Sequence, residues 1–317
     1  MLCRTKNRGG RDAPTHCLRR PWPQAYSLST SPTAIGAAPS PVPKPPPAPG
    51  PAPRPRWLAR VGAGAKTRFA SLLVTLAFVG EVLLALADPR TWRAMRWRDV
   101  AWQLEQTGPR SLPITAIVSA LVGLILAYMG AAQLEPFGAQ SYIADLVTIG
   151  ELREIAALVV GIVLSGRVGA AFAAQLASMR ANEEIDALET LGVRPIAFLV
   201  IPRVLAMALT APLLTAFAAA VGMCAGAAVA VAVYDLTALE YLLRTSQSVN
   251  ADNITVGLVK GTVYGVLVAL AGCRQGLHAG RSAEAVGLAT TAAVVQAIVW
   301  IAVAASVLTI VFQRIGI

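Results

Sequence analysis

"SMRANEEIDALETLGVRP", Ser178 to Pro195, puts Glu183, Glu184, Asp186 and Glu189 within seven positions. Two of the most apolar stretches of the chain flank it, roughly 147–177 and 197–220. About 20 apolar residues cross the hydrocarbon core of a bilayer, so each flanking run is long enough to span. An acidic segment between two spans belongs outside the lipid, in a loop at the membrane surface. Read as a helix, Ala181–Leu191 sets Ile185, Leu188 and Leu191 on one side and Asn182, Asp186 and Glu189 on the other, with Gly192 and Pro195 ending it. This is the pattern of a short amphipathic helix across a loop, which either meets a partner or covers its own domain.

The composition is that of a membrane protein. Of 317 residues, 56% are hydrophobic and only 14% charged, against roughly 25% charged in soluble domains. The net charge of +10 is not a nucleic-acid footprint, because it is concentrated at one end. Residues 1–60 hold ten basic residues and one acid, Asp12, a net +9 that leaves +1 for everything after Arg60. Cys3, Cys17, Cys224 and Cys273 have neither metal-ligand spacing nor a disulfide framework. His16 and His278 are too few for a His-based metal site. No metal, no cofactor and no hydrolytic constellation is expected.

Residues 1–60 are rich in Arg, Ser, Ala and Pro, and Pro dominates Pro39–Pro55. Such a segment buries no core and is expected to be disordered. Acid-poor, Arg- and Ser-bearing and lacking an apolar stretch, it reads as an organelle transit peptide, of chloroplast ahead of mitochondrion or another organelle, against the alternative of a disordered tail with no targeting value. "RVGAGAKT", Arg60–Thr67, ends like a phosphate-binding loop, but Ala65 and Arg60 stand where that motif requires glycine. The chain does not bind ATP by that route.

Five runs can span: roughly 112–132, 147–177, 197–220 (or on to 233), 254–273 and 286–312. The earlier run Phe69–Ala87 is interrupted by Glu81, and beyond it Trp92, Trp97 and Trp102 interleave with Arg90, Arg93, Arg96 and Arg98. Trp mixed with Arg is the composition of the membrane–water interface. With five spans and an inner N-terminus, those arginines and Arg110, Arg180, Arg194, Arg274 and Arg281 all fall inside, while Gln133–Asp145 has no basic residue. A spanning 69–87 would reverse this, so it is read as an elbow or re-entrant helix. The expected architecture is an all-α integral membrane protein, with a disordered transit segment 1–60, interfacial and elbow helices over 61–110, and five transmembrane helices over 111–317.

Small residues recur at every fourth position in two spans: Gly161, Ser165, Gly169, Ala173, Ala177, and Gly257, Gly261, Gly265, Ala269. Such rows let helix backbones approach closely, so they are expected to be packing faces. Arg153, Glu154 and Arg167 are ionisable residues in or at the second span, and Glu154 and Arg167 are candidates to line a cavity. A helix over 147–177 is roughly 46 Å long against a core of about 30 Å, so either residue could instead be solvated at an interface.

"GRVGAAFAAQLASMRANEEIDALETLGVRPIAFLVIPRVLA", Gly166–Ala206, resembles the signature of the MlaE/YrbE family of ABC-transporter permeases. "GCRQGLHAGRSAEAVGLATTAAVV", Gly272–Val295, is similar to that family's second signature. The likeness covers about 70–317 and, with the N-terminal segment, points to the trigalactosyldiacylglycerol-type branch of the chloroplast inner envelope. One departure stands out: the family's Gly-Pro after Arg-Glu is replaced here by Ala156-Ala157, which removes the residues expected to kink that helix.

The resemblance implies a membrane permease subunit that is not itself an enzyme, with ATP hydrolysis in a separate ABC ATPase subunit. It implies a homodimer around a lipid pathway, an MCE-domain lipid-binding protein on the outer face, and a glycerolipid such as phosphatidic acid as the transported membrane lipid. It makes the loop segment a coupling helix, carried by Glu183, Glu184, Asp186, Ala187, Leu188, Leu191 and Gly192, whose acidic face can pair with basic residues on the ATPase while Leu188 and Leu191 fill its groove. The spacing Asp186-Ala187-Leu188, Gly192, Ile201-Pro202 is also similar, more loosely, to the EAA loop of ABC importers. The rival readings are an ion-coupled secondary transporter, which would want broken helices and paired midplane charges, and a membrane scaffold that transports nothing.

Overall fold

The computed structural model describes residues 73–316 apart from Asp235, and the regular structure among them is entirely helical. The expected transit peptide lies outside the described residues. In chain order the helices are α1 (Leu73–Ala87), α2 (Pro89–Ala94), α3 (Trp97–Thr107), α4 (Leu112–Leu134), α5 (Ile143–Ala181), α6 (Glu184–Thr190), α7 (Ile196–Tyr234), α8 (Ala238–Ser248), α9 (Ala251–Leu277) and α10 (Ala283–Ile315). Five segments are long and apolar enough to cross a membrane: α3 running into α4 through a 3₁₀ turn, then α5, α7, α9 and α10. They alternate in direction, so α6 and the α9–α10 turn share one face of the bundle, and the α4–α5 loop and α8 share the other.

Each span outruns its apolar core. α5 holds 39 residues, about 58 Å at 1.5 Å per residue, nearly twice the thickness of a bilayer core. α1 is short by comparison, about 22 Å over its described residues, and its Leu76, Leu83 and Leu84 are exposed, as suits a helix in the interface. Trp97 and Trp102 on α3 are also exposed.

α9 sits at the centre, packed against α5, α7 and α10, while α4 lies on the outer side of α7. The contacts are backbone-close. A Cβ on Gly257 would lie 2.0 Å from the Leu152 carbonyl oxygen, one on Gly265 2.3 Å from Ala211 Cβ, and one on Gly272 2.6 Å from the Gly169 carbonyl. Gly261 meets Thr215 Oγ1 in the same way, at 2.3 Å. On the far side of α7, Gly123 of α4 rests on Gly222, 2.2 Å from its carbonyl oxygen for an added Cβ. Within this frame Val160, Leu164, Leu176, Met207, Tyr264 and Val268 form the buried core.

Three π-turns interrupt the helices, each with an i→i+5 bond: Ala156 N–H to Glu151 O, Ala170 N–H to Ser165 O, and Ile201 N–H to Ile196 O. The first falls immediately before Ala156-Ala157. The helix is therefore distorted at the place where the sequence lacks its Gly-Pro, because a π-turn loosens the ladder without needing either residue.

Gly257→Ala is expected to lower the melting temperature of the detergent-solubilised protein, since the carbonyl at its Cβ position is backbone and overpacking costs about 1–3 kcal/mol. Gly287→Ala, with nothing within 4 Å, should instead leave it unchanged or raise it, by up to about 1 kcal/mol of helix propensity.

Candidate functional site

The acidic stretch folds as α6, shorter than the sequence pattern suggests. Ala181 ends α5, and Glu183 turns the chain with φ 60°, a left-handed conformation unusual for a residue with a side chain. Gly192 closes the helix with φ 77°, where glycine has no Cβ penalty. Between these turns Ile185 is buried against the core and Leu188 packs on it. Leu191, 77% exposed, points away. The three apolar residues read as one stripe are thus divided. Two anchor α6 to its own bundle, and Leu191 with the exposed Glu183, Glu184, Ala187 and Gly192 forms the outward surface.

The acidic side is engaged within the chain. Arg281, in the α9–α10 turn, donates to Asp186 and lies 3.9 Å from Glu183. Arg180 donates to the carbonyl of Leu277 at the end of α9. Arg281 thus ties α6 to the α9–α10 turn, and Arg180 ties the end of α5 to the end of α9, although the Arg281 pairs are exposed and worth little in stability. Arg281 was legible in the sequence only as an inner-face charge; its role needed the 95 residues between it and Asp186 to fold.

On the opposite face Glu154 belongs to a buried charge cluster. Lys260 of α9, 1% exposed, pairs with Glu154 and donates to Thr309 Oγ1 of α10 at 2.9 Å. Thr309 in turn donates to Glu154 Oε1 at 3.1 Å. Phe312 lies 5.9 Å from the ammonium. One helical position earlier, Arg153 donates to Asn253 at 3.2 Å, and Asn253 to the Ser248 carbonyl at 3.2 Å. Three spans are joined by charge here, and the Glu154 side chain stays 34% exposed. Sequence reasoning missed Lys260 and Thr309. The signal for Lys260 was there, a lone cation in an apolar span between Gly257 and Gly261.

Arg167 is elsewhere. It donates to Ser111, at the foot of α4, and Ser111 donates to the Thr107 carbonyl at 2.6 Å. Arg167 thus joins α5 to the α3–α4 junction, and is not brought together with Glu154. Of the small-residue rows, Gly257, Gly261 and Gly265 face Leu152, Thr215 and Ala211; Gly161 faces Tyr264 and Ile301, and Gly169 faces Val268. Ser165 is fully buried, donating to the Ile162 carbonyl at 2.7 Å.

The two halves of the Glu154–Lys260 pair should not be equivalent. Glu154→Leu leaves a fully buried ammonium without its anion and is expected to cost about 3–5 kcal/mol. Lys260→Met leaves a carboxylate that water reaches, and should cost about 1–3 kcal/mol. The double variant should recover much of the first loss, as chemical unfolding in detergent would register.

Comparison with known proteins adds the family. The profile described as Permease MlaE matches residues 100–311. The chain is 35% identical over 213 residues to a probable ABC transporter permease protein of Rickettsia prowazekii, covering 67% of this chain and 82% of that protein. It is 33% identical over 227 residues to a probable ABC transporter permease protein of Synechocystis, covering 72% and 85%. It is 32% identical over 230 residues to the Arabidopsis thaliana protein TRIGALACTOSYLDIACYLGLYCEROL 1, chloroplastic, covering 73% of this chain and 65% of that one. A matched region that takes in three spans whole and most of the other two, with α6 and the Glu154–Lys260 cluster inside it, leaves one assignment: the chain belongs to the MlaE permease family.

Proposed function

We propose that this protein is the membrane subunit of an ATP-driven lipid transporter, worked through α6 by a separate ABC ATPase. The observation that carries the reading is the build of α6. It is a rigid turn-bounded helix, held beyond the bilayer by the overlong α5, with Leu191 and Ala187 outward and Ile185 and Leu188 fixed in the core. A partner that closes on ATP would push on the outward surface, and the Arg281 and Arg180 contacts would pass the push to α9 and α10. The names of the relatives, ABC transporter permeases, support the same reading.

The cargo end is the Glu154–Lys260 cluster. With Arg153 beside it, it places two cations, Arg153 and Lys260, next to an apolar wall, which suits an anionic glycerolipid such as phosphatidic acid. Two copies of the chain enclose the pathway, using the lipid-facing sides of α4 and α10, and an MCE-domain protein meets the α8 face. The chloroplast relative and the acid-poor N-terminus support a site in the chloroplast inner envelope, with residues 1–60 as the transit peptide.

Ala187→Lys combined with Leu191→Lys tests this reading without touching the core. The cognate ATPase subunit is expected to be lost on co-purification while the permease keeps its melting temperature. Unchanged association and unchanged ATPase activity would overturn it. Arg281→Glu should spare ATP hydrolysis in the assembled complex yet lower lipid movement by up to about fivefold, the worth of an exposed ion pair. Pairing it with Asp186→Arg should restore movement.

A further inference from the structure

We propose that the space between α1 and α6 is a second lipid site, built for a zwitterionic phospholipid of the leaflet on the α6 face. It is a cavity of about 910 Å³, within the range of roughly 300–1,000 Å³ usual for small-molecule sites. It is a half-open space lined by α1, α6, the α6–α7 connection and the end of α9. It lies at the opposite end of the bundle from Glu154 and Lys260, and needs only the membrane setting, not the ATP-driven reading.

The side of α1 that faces the cavity resolves an oddity of the sequence. Val74, Ala77, Phe78, Glu81 and Asp88 recur at helical spacing along it, so the acid that interrupts an apolar run opens into this space. Phe78, Ile185 and Leu277 make an apolar wall, and belong to the buried core. Polar groups of both signs line the remainder: Glu81, Asp88 and Glu189 as carboxylates, Arg180 and Arg194 as guanidinium groups, and His278, whose ring meets Phe78 edge-on at 6.3 Å. Arg180 is engaged with the Leu277 carbonyl. Among the described residues, Glu81, Glu189 and Arg194 make no side-chain hydrogen bond or ion pair.

Unpaired charges of both signs over an apolar wall select the ligand. A phosphate satisfies Arg194, and an ammonium a few bonds away satisfies Glu81 or Glu189, while an acyl chain lies along Phe78 and Leu277. An anionic head without an amine would bring its charge against three carboxylates, Glu81, Asp88 and Glu189, and a cationic amphiphile would leave Arg194 unmet.

The test uses the full chain in phosphatidylcholine vesicles carrying a trace of phosphatidylcholine with a photoactivatable acyl chain, crosslinks being mapped by peptide mass spectrometry. Labelling is expected at Phe78, Ile185 and Leu277 in preference to Leu76 and Leu83 on the other side of α1. Glu81→Gln with Arg194→Gln should lower cavity labelling roughly tenfold, the effect of losing a charge-assisted hydrogen bond, and leave labelling of the lipid-facing Leu213 unchanged. The matching phosphatidic acid probe should label the cavity up to about fivefold less than phosphatidylcholine, because it lacks the cation that the carboxylates attract. Equal labelling of both sides of α1, equal or stronger labelling by phosphatidic acid, or indifference to the double substitution would each overturn the proposal.

Discussion

Helices in lipid gain nothing by hiding apolar surface from one another, because the tails around them are equally apolar. What holds this bundle is how closely backbones can come, and α9 is where they meet. Gly257, Gly261, Gly265 and Gly272 bring it against Leu152, Thr215, Ala211 and Gly169, at distances that leave no room for a methyl group. Dispersion over many such contacts replaces the hydrophobic drive. The same constraint fixes α4, which reaches the Gly222 backbone of α7 only because Gly123 has no side chain.

Close packing of this kind also sets where charge can be buried. Lys260 stands between two of those glycines, Gly257 and Gly261, so its ammonium is brought into the bundle where Glu154 and Thr309 meet it. Glu151, one turn before Glu154 and 1% exposed, rests against Gly222, and its Oε1 has no hydrogen-bond partner among the described residues. The π-turn over Glu151–Ile155 carries both acids. A loosened ladder at a charged turn is a familiar mark of function in helices, and here it separates a paired carboxylate from an unpaired one.

The face with α6 is organised by a different rule. α5 is too long for the bilayer, so its last turns and α6 stand beyond it, where polar groups can be hydrated. There the contacts are ion pairs and side-chain-to-carbonyl bonds, each weak, which bind α6 to the α9–α10 turn without burying it. α1 closes that region from the side, and of the charges lining the space between them Glu81, Glu189 and Arg194 have no side-chain partner among the described residues.

Much of the architecture was legible in the chain. Apolar runs long enough to span, the basic bias of alternate loops and the Trp–Arg interface segment are local signals, set by the energetics of lipid, and they marked five spans and a short α1. The acidic stretch was equally plain as a surface helix. Its orientation was not: helical period alone put Ile185, Leu188 and Leu191 on one stripe, and only packing decided that the first two turn inward and the third outward. Lys260 was visible as a lone cation, but its partner is 106 residues away, as Arg281 is 95 from Asp186. Sequence determines which residues lipid will tolerate; the approach of one helix to another decides which charges find each other, because that depends on backbone distances no local pattern carries.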